Sequence, residues 1–258
     1  MSKNRILLVG CGAMGGALMR GWYHSAINEF DFEIVSPSPR TDFHLLQHQS
    51  PSTYKGPPDI LIFAVKPQIL NDIVEDYKKI INSETVIVSV AAGKNLNFFK
   101  QHFKKHPLIR AMPNIPAAVN KGVTLLSDRE KSPATETVEK LFSYVGECFW
   151  VKENLFDSMT ALTGSGPAYV YLLTEILAKI IQDGGIDQED SIKMAKQLIA
   201  GSAELMMHNP QSPKELRQSV TSPKGVTDAA LNVLIPNMQT LFDQAIRDAT
   251  KRSKELSK

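Results

Sequence analysis

Short apolar runs alternate with helix-spaced apolar positions along residues 1–152 of this chain. Ile6, Leu7, Leu8 and Val9 form one such run, and residues 32–35, 59–65, 86–90 and 108–112 form others. Runs of this length, rich in Val and Ile and bounded by Gly or Pro, predict buried strands. Between them, residues 14–26, 68–81, 95–104 and 134–144 carry apolar positions at helical spacing, as with Ile69, Ile73 and Ile80. Leu45 and Leu46 fit a short helix, and residues 123–126 and 149–151 two further strands. Strand–helix alternation with two-sided apolar strands predicts an α/β fold, a doubly wound, mostly parallel sheet covered on both faces.

The pattern changes near residue 152. No strand is predicted beyond Asn154; helices are expected over 167–183, 188–208, 213–219, 227–234 and 237–256. Asp183-Gly184-Gly185 is a helix stop, and Pro210 and Pro213 break the chain. This divides the protein into a Rossmann-type domain, 1–152, and a helical domain, 153–258. The helix at 167–183 carries Tyr169, Val170, Leu172, Leu173, Ile176, Leu177, Ile180 and Ile181, and is apolar nearly all round. Such a helix needs cover on several sides. A homodimer interdigitated through these helices provides it; the alternative is burial within one chain.

Composition adds little to this picture. The chain has 258 residues, 43% hydrophobic and 22% charged, with 29 basic against 27 acidic side chains. That balance gives no reason to expect nucleic acid as a partner. No window approaches transmembrane length, and none resembles a signal peptide, so a cytoplasmic protein with no membrane partner is expected. The two cysteines, Cys11 and Cys148, have no metal or redox spacing. His44/His48 and His102/His106 are i, i+4 pairs that lack a third ligand, so no metal is expected.

The candidate chemistry begins at the first strand. Gly10-Cys11-Gly12-Ala13-Met14-Gly15 is a G-x-G-x-x-G placed between a strand and a helix, the context a dinucleotide fingerprint requires. Gly10 permits the tight turn, Gly12 lets a pyrophosphate approach the backbone, and Gly15 lets the helix pack closely on the sheet. After the second strand, Ser36, Ser38 and Arg40 stand where many such folds carry a ribose-binding carboxylate. Hydroxyls and a guanidinium suit a 2′-phosphate, which favours NADP(H), with NAD(H) possible. The turns after the next strands, Ala64-Val65-Lys66-Pro67 and Ala91-Ala92-Gly93, and Asn114 in Met112-Pro113-Asn114, lie at the carboxyl edge where ligands bind. Lys66 and Asn114 are the polar groups there that could reach nicotinamide ribose or amide.

These turns, in order, resemble those of the pyrroline-5-carboxylate reductase family. Two helical segments are more specific: Thr163-Gly164-Ser165-Gly166-Pro167-Ala168-Tyr169, with Asp157 before it, and Val220-Thr221-Ser222-Pro223-Lys224-Gly225-Val226-Thr227. The resemblance spans essentially the whole chain. It implies NAD(P)H-dependent reduction of 1-pyrroline-5-carboxylate to L-proline, on a helix-exchanged homodimer that can assemble into a decamer. By position, Thr227 would hydrogen-bond the ring nitrogen, and backbone N–H groups from Ser222 through Lys224 and Gly225 to Val226 would hold the carboxylate. Glu153 matches a position near the substrate, and Lys66 and Ala92 match cofactor-contacting positions. The substrate site would lie between nicotinamide and helical domain, with elements from two subunits.

Lys224 departs from the family pattern, which has glycine there. If the position needs a positive φ, lysine is strained; otherwise it adds charge beside the substrate carboxylate. Helix capping is the competing role for Thr227, and the expected one for Ser165. Two other functions stay open: a related imine or hydroxyacid reductase, and a non-catalytic NADP-binding regulator. Against a hydroxyacid enzyme, Lys179 is the one lysine in its helix and lies late in it.

Overall fold

A computed structural model describes residues 3–38, 40–127 and 133–256. Residues 1–2, Pro39, 128–132 and 257–258 lie outside them. The first strand, β1 (Asn4–Val9), leads through the glycine turn into α1 (Ala13–Ser25). Then come β2 (Phe30–Val35), β3 (Leu46–His48), β4 (Ile60–Phe63), α2 (Pro67–Tyr77), β5 (Val86–Ser89), α3 (Leu96–His102) and β6 (Leu108–Met112). β7 (Gly122–Ser127), α4 (Pro133–Ser143) and β8 (Gly146–Trp150) complete an eight-stranded sheet of order β3-β2-β1-β4-β5-β6-β7-β8. Neighbours pair in parallel except β6 with β7, whose register sets Arg110 opposite Ser127. The chain reverses its direction of travel across the sheet at β1, which β2 and β4 flank. Ligands of open α/β sheets bind at such a switch point.

The sheet is buried on both faces, as its unbroken apolar runs require. On one face, Trp22 of α1 stacks on Phe32 and meets Phe142 of α4 edge-on, while its indole N–H donates to the Leu141 carbonyl at 2.8 Å. On the other, Phe63 packs with Tyr77, Phe99 and Phe103 from α2, α3 and the turn after it. Residues 42–45 and the predicted short helix differ from expectation. Leu46 starts β3, paired with β2 at Glu33, and Leu46 is 62% exposed. An edge strand does not need the apolar positions that suggested a helix. His44 and His48 therefore share no helical face.

Past the sheet run α5 (Glu153–Met159), one widened π turn (Thr160–Gly164), α6 (Gly166–Asp183), α7 (Gln188–His208), α8 (Pro213–Ser219) and α9 (Val226–Leu256). Within the described residues the chain forms two compact units, 3–165 with 248–256, and 166–247. In the first unit, α5 packs on β7 and the last turns of α9 reach α5: Ser253 Oγ donates to Asp157 Oδ1 at 3.0 Å. In the second, α6 and α7 pair, and Tyr169 meets Phe242 edge-on. The two helices expected over 227–234 and 237–256 are one, because Pro236 sits inside α9 without ending it. No residue of α6 is buried, and Tyr171, Leu172 and Ile180 are each more than half exposed. Burial within one chain, the alternative to a dimer, does not occur.

Candidate cofactor and substrate sites

The glycine turn is built as the fingerprint needs. Gly10 has φ +88°, and its N–H donates to the Val35 carbonyl at 2.8 Å, so the turn is bonded to β2. A Cβ on Gly10 would stand 2.6 Å from Val65 Cγ1, so Ala64 and Val65, which follow β4, press against the glycine turn. A Cβ on Gly15 would collide with the Gly10 carbonyl oxygen, which is why α1 can sit so close to the turn. At Gly12 the opposite holds: nothing lies within 4 Å of a Cβ. Gly12 is the N-cap of α1 and no side chain caps the helix, so its first amides are free to meet an anion. This open cradle fits a pyrophosphate. Cys11 is buried, which pushes its thiol above the usual range, and Ala13 and Met14 form the first turn of α1.

The segment after β2, the adenosine-side candidate, is more elaborate than its sequence suggested. Ser36 Oγ donates to the Ser38 carbonyl at 3.0 Å, so that hydroxyl shapes the turn. Arg40 is pinned by Gln47: its N–H donates to Gln47 Oε1 at 2.7 Å and its carbonyl accepts from Gln47 Nε2 at 2.6 Å. The guanidinium reaches back to the glycine turn, with Nη1 3.4 Å from the Cys11 carbonyl oxygen. Its other edge holds Asp42 side-on, Nε to Oδ1 at 3.0 Å and Nη2 to Oδ2. The Arg40 hydrogen bond holds the Asp42 carboxyl below the usual carboxylate range. Arg20 of α1 lies 3.7 Å from the same carboxylate. Sequence spacing missed Asp42, because it lies well beyond the strand end where a ribose carboxylate is sought; Arg40-x-Asp42 was the available signal.

The turns after β4, β5 and β6 share the carboxyl edge of the sheet. Lys66 is exposed, precedes Pro67 at the start of α2, and has no ion pair among the described residues. Ala92 is exposed beside Gly93, whose φ is +76°. Asn114 is 6% exposed, and both ends of its amide work inside the fold. Its Oδ1 accepts from the Val123 N–H at 2.9 Å and its Nδ2 donates to the Thr163 carbonyl at 3.0 Å. It therefore ties the Met112-Pro113-Asn114 turn to the Thr163-Gly164-Ser165 segment. Ser165 has helical dihedrals (φ −88°, ψ −16°) and continues the chain from the π turn toward α6, so the expected N-cap is not formed there.

Glu153, the first residue of α5, is engaged by a buried arginine. Arg110 Nη1 donates to Glu153 Oε1 at 3.0 Å, and Nη2 reaches Asp157 Oδ1 at 3.5 Å. The guanidinium lies 4.0 Å from the centre of the Phe156 ring. A cavity of about 570 Å³ opens beside Glu153, with Leu96, Ser127, Trp150 and Lys152 in its wall.

The second unit carries the substrate-loop candidates at the start of α9, the longest helix among the described residues. Ser222, Lys224, Val226 and Thr227 are exposed, and Gly225 half-buried. Lys224 has φ +61°, the conformation that explains why glycine suits this position. The cost for lysine is about 1 kcal/mol. Its N–H donates to Asp228 Oδ2 at 3.0 Å, and the Gly225 N–H to the Ser222 carbonyl at 2.9 Å. Two of the amides expected to hold a carboxylate are thus bonded within the loop. The first N–H groups of α9, from Val226 and Thr227 onward, have no partner inside any helix and are the better donors.

No group of three or more His, Cys, Asp or Glu among the described residues could hold a metal. His48 bonds Glu33 at 2.7 Å and Thr53 at 3.0 Å, and His102 bonds Glu75 at 2.8 Å. No described helix is long and apolar enough to cross a membrane.

Known proteins match both halves. Residues 153–256 match the family model described as pyrroline-5-carboxylate reductase dimerisation, and residues 6–125 that of ketopantoate reductase PanE/ApbA. A pyrroline-5-carboxylate reductase of Methanosarcina acetivorans is 30% identical over 277 residues, covering 100% of both chains. One from Synechocystis is 36% identical over 203 residues, 78% of this chain and 76% of that one. The solved structure of the Coxiella burnetii reductase superposes with a TM-score of 0.90 at 28% identity over 100% of both chains. That of the Plasmodium falciparum reductase with NADP bound gives 0.88 at 27% identity, again over 100% of both.

Proposed function

The chain belongs to the pyrroline-5-carboxylate reductase family, and on that premise we propose how its own residues divide the work of reducing 1-pyrroline-5-carboxylate to L-proline. The observation that carries the reading is the glycine turn, where an open Gly12 meets uncapped helix amides, in a chain that aligns end to end with these reductases. A bound nicotinamide supplies the hydride that the imine carbon accepts. The ring nitrogen keeps its proton and becomes the secondary amine of the product. A protonated imine is already electrophilic, so the protein has to orient it rather than supply a strong acid.

Gly10 to Gly15 hold the pyrophosphate, and Ala64 to Pro67, with Ala92, line the nicotinamide side. Asn114 sets the shape of that side by tying its turn to Thr163. The first amides of α9, aided by Lys224, hold the substrate carboxylate, with Ser222 and Gly225 forming the loop. The Thr227 hydroxyl accepts from the iminium N–H and, able to donate as well, can hold the product amine. Glu153 acts through Arg110, which fixes α5 at the carboxyl edge of the sheet. NADP(H) is the preferred cofactor, with Arg40 the cation for its 2′-phosphate, in keeping with the NADP-bound Plasmodium falciparum relative.

The dimerisation match over residues 153–256 supports self-association of this chain. We take the assembly to be a homodimer, in which the uncovered apolar side chains of α6 and α7 are buried. Decamer formation is read from the particle mass in solution. Two free cysteines fit a reducing, cytoplasmic setting. Turnover of 1-pyrroline-5-carboxylate with NADPH, followed at 340 nm with Thr227→Ala beside the parent, tests the reading. A well-folded parent that binds NADPH yet leaves the imine unreduced contradicts it.

A further inference from the structure

The Arg40–Asp42–Arg20 cluster has a job that pyrophosphate binding does not use. Arg40 turns its Nε/Nη2 edge, the edge that binds oxyanions in pairs, onto Asp42 rather than outward. Nη1 stays at the Cys11 carbonyl of the glycine turn, so the pair sits beside the cofactor turn rather than out on a loop tip. Arg20, on α1, brings a second cation to the same carboxylate. Gln47 fixes the backbone of Arg40, and Phe43, the residue after Asp42, is buried at 4% exposure. The two charged side chains thus stand on a held segment.

We propose that Asp42 sets the cofactor selectivity of this protein: it competes with a ribose 2′-phosphate for Arg40, and accepts a hydrogen bond from an unphosphorylated ribose 2′-hydroxyl. The inference rests on the reading that the glycine turn binds a nicotinamide dinucleotide. Its physical basis is the charge count. Arg20 and Arg40 against Asp42 leave one net positive charge, whereas a 2′-phosphate brings between one and two negative charges. A phosphate oxygen and the Asp42 carboxylate cannot both take the same guanidinium edge, and their like charges repel. A ribose hydroxyl has no such conflict; a carboxylate in this region is its usual acceptor. Asp42 therefore moderates the preference for NADP(H) and keeps NAD(H) usable.

The test is calorimetric titration with 2′,5′-ADP and with ADP-ribose, which read the two adenosine ends without catalysis. The parent, Asp42→Asn and Arg40→Met are compared at fixed ionic strength. Asp42→Asn is expected to bind 2′,5′-ADP about tenfold more tightly and ADP-ribose more weakly, so that the two affinities move in opposite directions. Arg40→Met is expected to weaken 2′,5′-ADP binding and to leave ADP-ribose nearly unchanged. Asp42 is exposed enough for asparagine to be accommodated, and a melting curve confirms folding. If Asp42→Asn shifts both ligands equally, or neither, while Arg40→Met still weakens 2′,5′-ADP, the role given to Asp42 is wrong and the cofactor reading stands. If no variant or parent binds either ligand, the cofactor reading itself fails.

Discussion

Replacing Gly12 with alanine separates cofactor binding from folding. Gly12 has φ −73° and ψ −149°, a negative φ with ψ just beyond the extended region, and an added Cβ meets nothing within 4 Å. Alanine is a poor helix N-cap, so the cost to folding is about 1 kcal/mol. That corresponds to a fall in melting temperature of about 2–4 °C for a chain of this size. The methyl, however, projects into the space where the pyrophosphate must approach α1. Losing two amide–phosphate hydrogen bonds, at about 1.5 kcal/mol each, removes about 3 kcal/mol. The expected result is roughly a hundredfold weaker NADPH binding, read by quenching of protein fluorescence or by calorimetry, with a nearly native melting curve. Gly15→Ala is the contrasting control. Its Cβ would collide with the Gly10 carbonyl oxygen and stand 3.3 Å from Ala64 Cβ, so α1 must move and stability falls by about 1–3 kcal/mol. Native NADPH affinity in Gly12→Ala would refute the placement of the pyrophosphate.

Four further outcomes follow from the geometry. Thr227→Ala is expected to lower kcat while leaving NADPH affinity unchanged; equal losses in both would remove Thr227 from the substrate side. Lys224→Gly relieves the positive φ and removes a charge, so the melting temperature should hold or rise while KM for the imine increases; an unchanged KM would show that the ammonium is remote from the carboxylate. Arg110→Ala removes the buried guanidinium from Glu153 and Asp157, while Ser253 still donates to Asp157, so urea unfolding should show a loss of about 1.5–3 kcal/mol; a smaller change than for Glu153→Ala would contradict that arrangement. Burial pushes the Cys148 thiol up to about 12 and raises that of Cys11, so both stay protonated near pH 8 and should react slowly with iodoacetamide until the protein unfolds; rapid alkylation of the native protein counts against their burial.

The centre of the sheet is readable because β1, β4, β5 and β6 are apolar runs followed closely by glycine or proline, and the turn at residues 10–15 is readable because Gly10 and Gly15 answer to steric demands the structure contains. Other features depend on partners distant in sequence. β3 pairs at a sheet edge where hydrogen bonding to β2, not apolar patterning, decides the conformation. The break expected between 234 and 237 is absent, because a helix of 31 residues carries Pro236 with its one missing N–H. Asn114 reads as a ligand-facing amide, but Val123 and Thr163 engage it. The amides of Lys224 and Gly225 were candidates for the substrate carboxylate; Asp228 and Ser222 bind them instead, which moves the expected donors to the first turn of α9. Asp42 was passed over because the ribose carboxylate is sought directly after the strand, whereas this chain returns one to the glycine turn through Arg40.

Purified protein given NADPH and 1-pyrroline-5-carboxylate, with NADPH loss followed at 340 nm and L-proline quantified by mass, tests the central claim directly. The account predicts one proline formed for each NADPH consumed, with turnover in Gly12→Ala about tenfold lower at NADPH near ten times the parent Kd. A folded, NADPH-binding protein that yields no proline contradicts it.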